Sequence, residues 1–377
     1  MKRKRQKEKL QPGKLLLILL LFSMILACGK VKPVNTNGTN TKTSESDEDS
    51  SYSSPNLSSD AQMQVQYLDV GQGDATLISC DGHFMLIDAG NNNQGTQVSD
   101  YLKQQKISSL DYVIGTHPDA DHIGGLDVVI HNYDCVNLFL PTEQKDTVTY
   151  RDVLHAIDDK GYQSVTPSVG STYSLGSAEF TIVGPSGKAA DSNDNSIALI
   201  LHYGNNSFYF EGDAQEEEES SIMTTGIPIA ANVYKIGHHG SDTSTSDRML
   251  EAVQPVYAVI SVGDNDYGHP NAEVLNKLRK KGIQLFRTDE QGTIVATSDG
   301  EHITWNCSPT ESWKAGEAAG GSTVNTQASD VTVHITKTGT KYHLAGCEYL
   351  KDSDTEISLS EAKAGGYEPC GVCHPPK

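Results

Sequence analysis

Positive charge is what this 377-residue sequence has least of relative to its opposite. Its 29 Lys and Arg stand against 49 Asp and Glu, a formal net charge of −20. Such a field repels phosphate backbones, which excludes diffuse attraction to a polyanion. Any polyanionic substrate must be held by a local feature, a bound cation being the simplest. An apolar run of membrane-spanning length is also missing: "LLLILLLFSMILA" at 15–27 has 13 residues, against the roughly 20 a bilayer requires. It follows a segment, residues 1–14, with seven Lys/Arg and one Glu, and it ends at Cys28, which is the order of parts in a secretory signal peptide. A cysteine framework is absent as well. Cys80, Cys135 and Cys307 are scattered, and a disulfide between any two would leave one over, so no pairing is expected among them.

Ile25-Leu26-Ala27-Cys28 resembles the lipobox of bacterial lipoproteins. The resemblance implies a lipid-modified N-terminus at Cys28 and a protein at the outer face of the bacterial cell membrane. An uncleaved anchor helix is the alternative, and both readings export the chain. Residues 29–60 are nearly devoid of large apolar side chains and rich in Ser, Thr, Asn and acid, the composition of a flexible tether. A second low-complexity stretch fills 308–330. The expected organisation is therefore a signal peptide at 1–28, a linker at 29–60, a large unit at 61–307, a linker at 308–330 and a small unit at 331–377.

The large unit opens with a hairpin pattern in "MQVQYLDVGQGDATLIS", followed by the short strand "HFMLIDAG". A helical segment then leads to the strand "DYVIGT", which delivers "THPDADHIGG" at its C-terminal end. Crowding His117, Asp119, Asp121 and His122 into one turn makes sense if they surround a cation, since like charges at this spacing otherwise repel. Residues two apart in an extended loop point the same way. His117 and Asp119 are thus expected on one cation, and Asp121 and His122 on a neighbour. Later strands end in further donors: "FYFEGDA" in Asp213, "VYKIGHHGS" in His238 and His239, and "VISVGDNDYGHPN" in Asp264, Asp266 and His269. Helices are expected at 149–161, 214–224, 246–253 and 271–282. Strands outnumber helices and come partly in hairpins, which suits an α/β architecture of two packed sheets with helices outside.

Taken in order, "LDVGQGDATLI", "LIDAG", "THPDADHIGGL", "FEGDA", "VYKIGHHGS" and "SVGDNDYGHP" resemble the motif series of the metallo-β-lactamase fold superfamily. Within it they are most similar to the extracytoplasmic nuclease-like domain of ComEC-type competence proteins. The resemblance implies a four-layer αββα sandwich. It also implies two divalent ions held by His117, Asp119, Asp121, His122, a bridging Asp213 and a final His269, with Asp69, Asp74 and Asp88 as braces. Two departures stand out: Asp119 replaces the middle His of the usual pattern, and "DNDNSIALIL" offers Asn193, Asn195 and Ser196 where a third His is common. Fewer nitrogens and more oxygens move the preference from Zn²⁺ toward Mn²⁺ or Mg²⁺.

Two cations can generate a hydroxide near neutral pH and clamp the attacking and leaving oxygens of a phosphodiester. Asp121, His238 and His239 are the expected catalytic residues, with Lys235 and Ser241 as phosphate contacts. The reading is a metal-dependent hydrolase, a phosphodiesterase whose expected partners are DNA as substrate and the membrane through the N-terminal lipid. The alternatives are a lactonase or β-lactamase on the same fold, or a binding lipoprotein with a vestigial metal site. In the small unit, His343, Cys347, Cys370 and Cys373 have the spacing of a zinc knuckle. They resemble an Ada-type metal-binding module, with one structural Zn²⁺ implied. A Cys370–Cys373 disulfide is the alternative, and a unit this small needs some staple.

Overall fold

The structure is a computed structural model that describes residues 62–317 except 188, and 332–375 except 338, 352, 365, 366 and 374. The signal segment with Cys28, the first linker and most of the second lie outside the described residues.

Two sheets form the large unit. The first is built from β1 (Met63–Tyr67), β2 (Thr76–Cys80), β3 (His83–Ile87), β4 (Ser109–Ile114), β5 (Asp134–Phe139) and β6 (Ser164–Val165). The second runs from β7 (Thr172–Leu175) through β8 (Ala178–Gly184), β9 (Ala198–Tyr203), β10 (Asn206–Phe210), β11 (Val233–Lys235) and β12 (Tyr257–Ile260) to β13 (Gln284–Arg287). The chain then returns to the first sheet with β14 (Ile294–Ser298) and β15 (Ile303–Trp305), giving the orders 15-14-1-2-3-4-5-6 and 13-12-11-10-9-8-7.

The side-chain period of two decides how these sheets pack. Met63, Val65 and Tyr67 of β1, Met85 and Ile87 of β3, and Phe208 and Phe210 of β10 all enter one buried cluster between the sheets. Alternate residues face outward under helices. Leu77, Leu86 and Val113 are covered by α1 (Gly95–Gln104), α3 (Leu126–Asn132) and α4 (Val148–Asp159), while α2 (Ala120–Ile123) caps the end of β4. Ile200, Tyr209 and Tyr234 are covered by α5 (Glu216–Thr224), α6 (Asp247–Val253) and α7 (Ala272–Lys280); a short α8 (Thr288–Gln291) follows β13. Both faces of each sheet are therefore dry, and the layers read αββα, as the motif series implies.

Residues 308–317, expected as linker, are docked instead. Thr310 N donates to Leu285 O at 2.7 Å, Gly316 N to Pro270 O at 3.0 Å, and Trp313 packs on the outer cluster of the second sheet beneath Arg279. One large aromatic outweighs a low-complexity composition.

The small unit is a four-stranded sheet in the order 18-16-17-19: β16 (Thr332–Ile335), β17 (Lys341–His343), β18 (Thr355–Ser358) and β19 (Glu368–Pro369), with α9 (Leu359–Ala364) against it. Its apolar core centres on Val333, Tyr342 and Ala362. Among the described residues no helix is long and apolar enough to cross a membrane.

Candidate metal centre

Functional side chains in layered α/β folds gather where strands end, and here they come from both sheets. Asp88 follows β3, His117 to His122 follow β4, Asp213 follows β10, and the turn Gly237–Gly240 follows β11. Close packing fixes the first of these loops. A Cβ on Gly124 would lie 2.3 Å from Ala120 O and from Asn92 N, and one on Gly125 would lie 2.4 Å from Ala89 O. The glycine pair thus lets His122 seat directly over Asp88. His238 and His239 both adopt left-handed backbone angles, φ 48° and 53°, a conformation that costs about 1–3 kcal/mol per non-glycine residue and tends to occur at functional sites. It sends the two rings to different places.

His122 and His239 meet at the centre. His122 Nδ1 lies 2.8 Å from Asp88 Oδ2, and Asp88 also accepts from Thr116 N at 2.8 Å and Thr116 Oγ1 at 2.7 Å. His239 Nδ1 lies 3.0 Å from the Ser261 carbonyl, which can only accept, so that nitrogen carries the proton. Both Nε2 atoms then turn inward, 3.3 Å apart. Around them stand Asp213 Oδ1, 3.2 Å from His122 Nε2, and Asp213 Oδ2 and Asp121 Oδ2, 3.6 and 3.3 Å from His239 Nε2. Asp74 Oδ1, without a hydrogen-bond partner among the described residues, lies 3.5 Å from His239 Nδ1. Ligand atoms of Asp74, His122, Asp213 and His239, all buried, lie within 4.8 Å of one another. Two imidazoles with anchored Nδ1 atoms, facing each other and a ring of carboxylates, form a donor set that fits a divalent cation.

Electrostatics agree with that fit. Burial opposes charge on His239, but Asp213, Asp121 and Asp74 push it up to about 10. His122 is likewise driven up by Asp213 and Asp88 against its burial. Burial would raise Asp213, yet His122 and His239 hold it well below the ordinary carboxylate range. Four carboxylates, Asp74, Asp88, Asp121 and Asp213, thus favour positive charge on this pair. His117 behaves differently: burial, reinforced by His122, lowers it to about 4 and keeps it neutral.

A second tier lines a cavity of about 190 Å³, whose walls include Gln72, Asp119, Asn193, His238, Tyr267 and His269. His117 Nε2 has no hydrogen-bond partner among the described residues and stands 3.9 Å from Asp213 Oδ2. Ser196 Oγ joins those two elements, contacting His117 Nδ1 at 3.3 Å and accepting from Asp213 N at 3.1 Å. His238 Nε2 is 3.8 Å from Asp213 Oδ2 and 3.4 Å from Asn193 Nδ2. His269 packs its ring 5.3 Å from that of His238, and burial lowers it to about 4.

The structure brings together Asp121, His122 and Asp213 of the expected ligands and adds His239 and Asp74, which sequence reasoning placed as a catalytic group and a brace. His117 stands one step out, and His269 belongs to the cavity wall. Asp119 turns to the Lys145 ammonium and lies 3.1 Å from Ser192 Oγ. Lys235, expected as a phosphate contact, is buried with Nζ 2.8 Å from Asp74 Oδ2. Ser241 is also buried, its Oγ 3.0 Å from Thr243 Oγ1. Asp69 closes a local turn by accepting from Gly71 N, Asn195 Nδ2 donates to Glu143, and Asp264 and Asp266 are exposed. Gln72, Tyr267 and Lys145 were missed, since none carries a spacing signal.

In the small unit, ligand atoms of His343, Cys347, Cys370 and Cys373 lie within 4.8 Å of one another, and the three thiols are free. Leu344 N donates to Cys373 Sγ at 3.3 Å and Val372 N to Cys370 Sγ at 3.4 Å. Backbone donors of this kind stabilise metal-bound thiolates.

Comparison with known proteins finds the same lineage. ComE operon protein 3 of Bacillus subtilis (strain 168) is 31% identical over 264 residues, covering 64% of this chain and 33% of that protein. Recombination protein 2 of Haemophilus influenzae is 32% identical over 238 residues, covering 61% and 28%. Competence protein ComA of Neisseria gonorrhoeae is 29% identical over 244 residues, covering 64% and 33%. The chain thus spans about a third of the length of these relatives. A family model described as the metallo-beta-lactamase superfamily matches residues 68–264. That match takes in every residue of the inner cluster and more than half of the sequence: the chain belongs to the metallo-β-lactamase superfamily.

Proposed function

We propose that this chain is an exported, lipid-anchored phosphodiesterase that uses divalent metal to cleave nucleic acid, DNA foremost. The observation that carries the reading is the inward-facing pair His122 Nε2 and His239 Nε2, 3.3 Å apart among Asp121 and Asp213. The superfamily is one of metal-dependent hydrolases, and the names of the relatives, competence and recombination proteins, speak for DNA as substrate. The anchor rests on the sequence before Cys28 alone.

His122, His239, Asp121 and Asp213 would hold the first cation, with Asp74 behind them. His117 and Asp213 face a second position, and Asp119 meets Lys145 and Ser192 through Oδ1, which leaves Oδ2 for that position. When bound, divalent ions supply Lewis acidity and a water acidic enough to ionise near neutral pH. The remaining work falls to the chain. Asp88 and Ser261 hold the two imidazoles in the tautomer that points Nε2 inward. His238 keeps 21% of its side chain exposed, so it can pass a proton between solvent and the leaving oxygen. The Cys/His cluster of the small unit would take one structural Zn²⁺, which supplies folding free energy where the apolar core is small.

The test is to strip the protein of metal and reload it with Mn²⁺, Mg²⁺ or Zn²⁺. It is then offered single- and double-stranded DNA, RNA, nitrocefin and a lactone. Metal-restored cleavage of DNA is expected. Turnover of nitrocefin or the lactone alone would replace the reading, and no turnover would favour a binding lipoprotein.

A further inference from the structure

The cavity has a charge problem. Its walls carry Asp119, Asp121 and Asp213 and, among the described residues, include no Lys or Arg, in a chain of net charge −20. A phosphodiester entering it meets carboxylates first. Lys235 cannot help, because its ammonium is buried between Asp74 Oδ2 and the Ile236 carbonyl, at 2.8 and 3.1 Å.

Lys145 sits where a cation is needed. It lies in the segment between β5 and α4, and its ammonium bonds Asp119 on the cavity wall and Ser192 Oγ, at 3.0 Å for the latter. Ser192 leads directly into the turn Asn193–Asn195, whose Asn193 reaches His238. The Lys145 side chain remains 35% exposed, so solvent and substrate can reach it. A lysine ammonium has three donors. Two are engaged among the described residues, which leaves the third for an anion.

We propose that Lys145 is a substrate-phosphate contact on the rim of this site, held in place by Asp119 and Ser192 and selecting anionic diesters over neutral acyl substrates. This rests on the phosphodiesterase reading. The Asp119–Lys145 pair keeps the ammonium at the rim in the absence of substrate, and a non-bridging phosphate oxygen replaces solvent at its free donor. The same pairing gives a physical reason for Asp rather than His at position 119, since an imidazole would not retain the lysine.

The experiment measures binding of a cleavage-resistant phosphorothioate oligonucleotide to the metal-loaded full chain by fluorescence anisotropy over a range of salt. Cleavage of an ordinary oligonucleotide is followed in parallel. Lys145→Gln should weaken binding about tenfold and reduce the salt slope by roughly 0.7–0.9, the value for one phosphate contact. Lys145→Arg should retain most of the affinity, and the melting temperature of both variants should stay near wild type. Wild-type affinity and slope in Lys145→Gln would overturn the inference while leaving the phosphodiesterase reading intact. Equal loss in the Gln and Arg variants would also overturn it, as the sign of a packing role. A wild-type protein that neither binds nor cleaves would bring down both.

Discussion

His122 Nε2 and His239 Nε2 face each other at 3.3 Å from opposite sheets of the sandwich, although 117 residues separate them in sequence. Their Nδ1 atoms are tied to an Asp88 carboxylate and a Ser261 carbonyl. Both rings are therefore held with Nε2 turned to the same point, a donor set that a shared cation would fit.

Asp213 stands between the two tiers, near His122 and His239 on one side and His117 and His238 on the other. Asp213→Asn removes a charge from that position while preserving its shape. Turnover should fall by at least about 10³-fold, with metal affinity reduced and the far-ultraviolet circular dichroism unchanged. Undiminished cleavage by the folded variant would rule out a shared carboxylate.

The two late histidines should separate cleanly. His239 is in the inner cluster and His269 on the cavity wall. His239→Ala should weaken cation binding, read by calorimetry, by about 100-fold or more, whereas His269→Ala should leave the tightest cation in place. The reverse order would make His269 the ligand.

Sequence alone could not have made that assignment. The alternation of Met63, Val65 and Tyr67, and of Phe208 and Phe210, declares which faces pack together, and the strand-end acids and imidazoles declare where the site lies. Which member of "HH" turns inward depends on consecutive left-handed conformations at His238 and His239 and on a carbonyl 22 residues away. Such features have no local pattern. Lys145 lies in "PTEQKDT", a segment without periodicity, and Lys235 looked like a free cation because burial is a tertiary property. The Cys/His spacing of the small unit was legible because its four donors sit in two tight pairs, 343 with 347 and 370 with 373.

Lys235 provides a test of stability rather than of binding. It forms a buried pair with Asp74, at 4% and 7% side-chain exposure. Lys235→Met would leave a carboxylate buried without its partner, a loss of about 3–5 kcal/mol readable by urea unfolding. If stability holds and only the Michaelis constant rises, Lys235 contacts substrate after all.

For the small unit, Cys370→Ser should reduce bound zinc by one ion per chain, measured by native mass spectrometry under reducing conditions. Hydrolysis should be largely unaffected. A variant that keeps its zinc would remove Cys370 from the ligand set, and a wild-type unit that holds a Cys370–Cys373 disulfide under oxidising conditions and ignores zinc when reduced would favour the disulfide.

Anomalous diffraction from crystals of the Mn²⁺- or Zn²⁺-loaded chain would show whether the inner cluster is a metal centre. A strong peak enclosed by His122 Nε2, His239 Nε2, Asp121 and Asp213 is expected. Metal found only elsewhere in this unit, with these four residues metal-free at saturating cation, would contradict it.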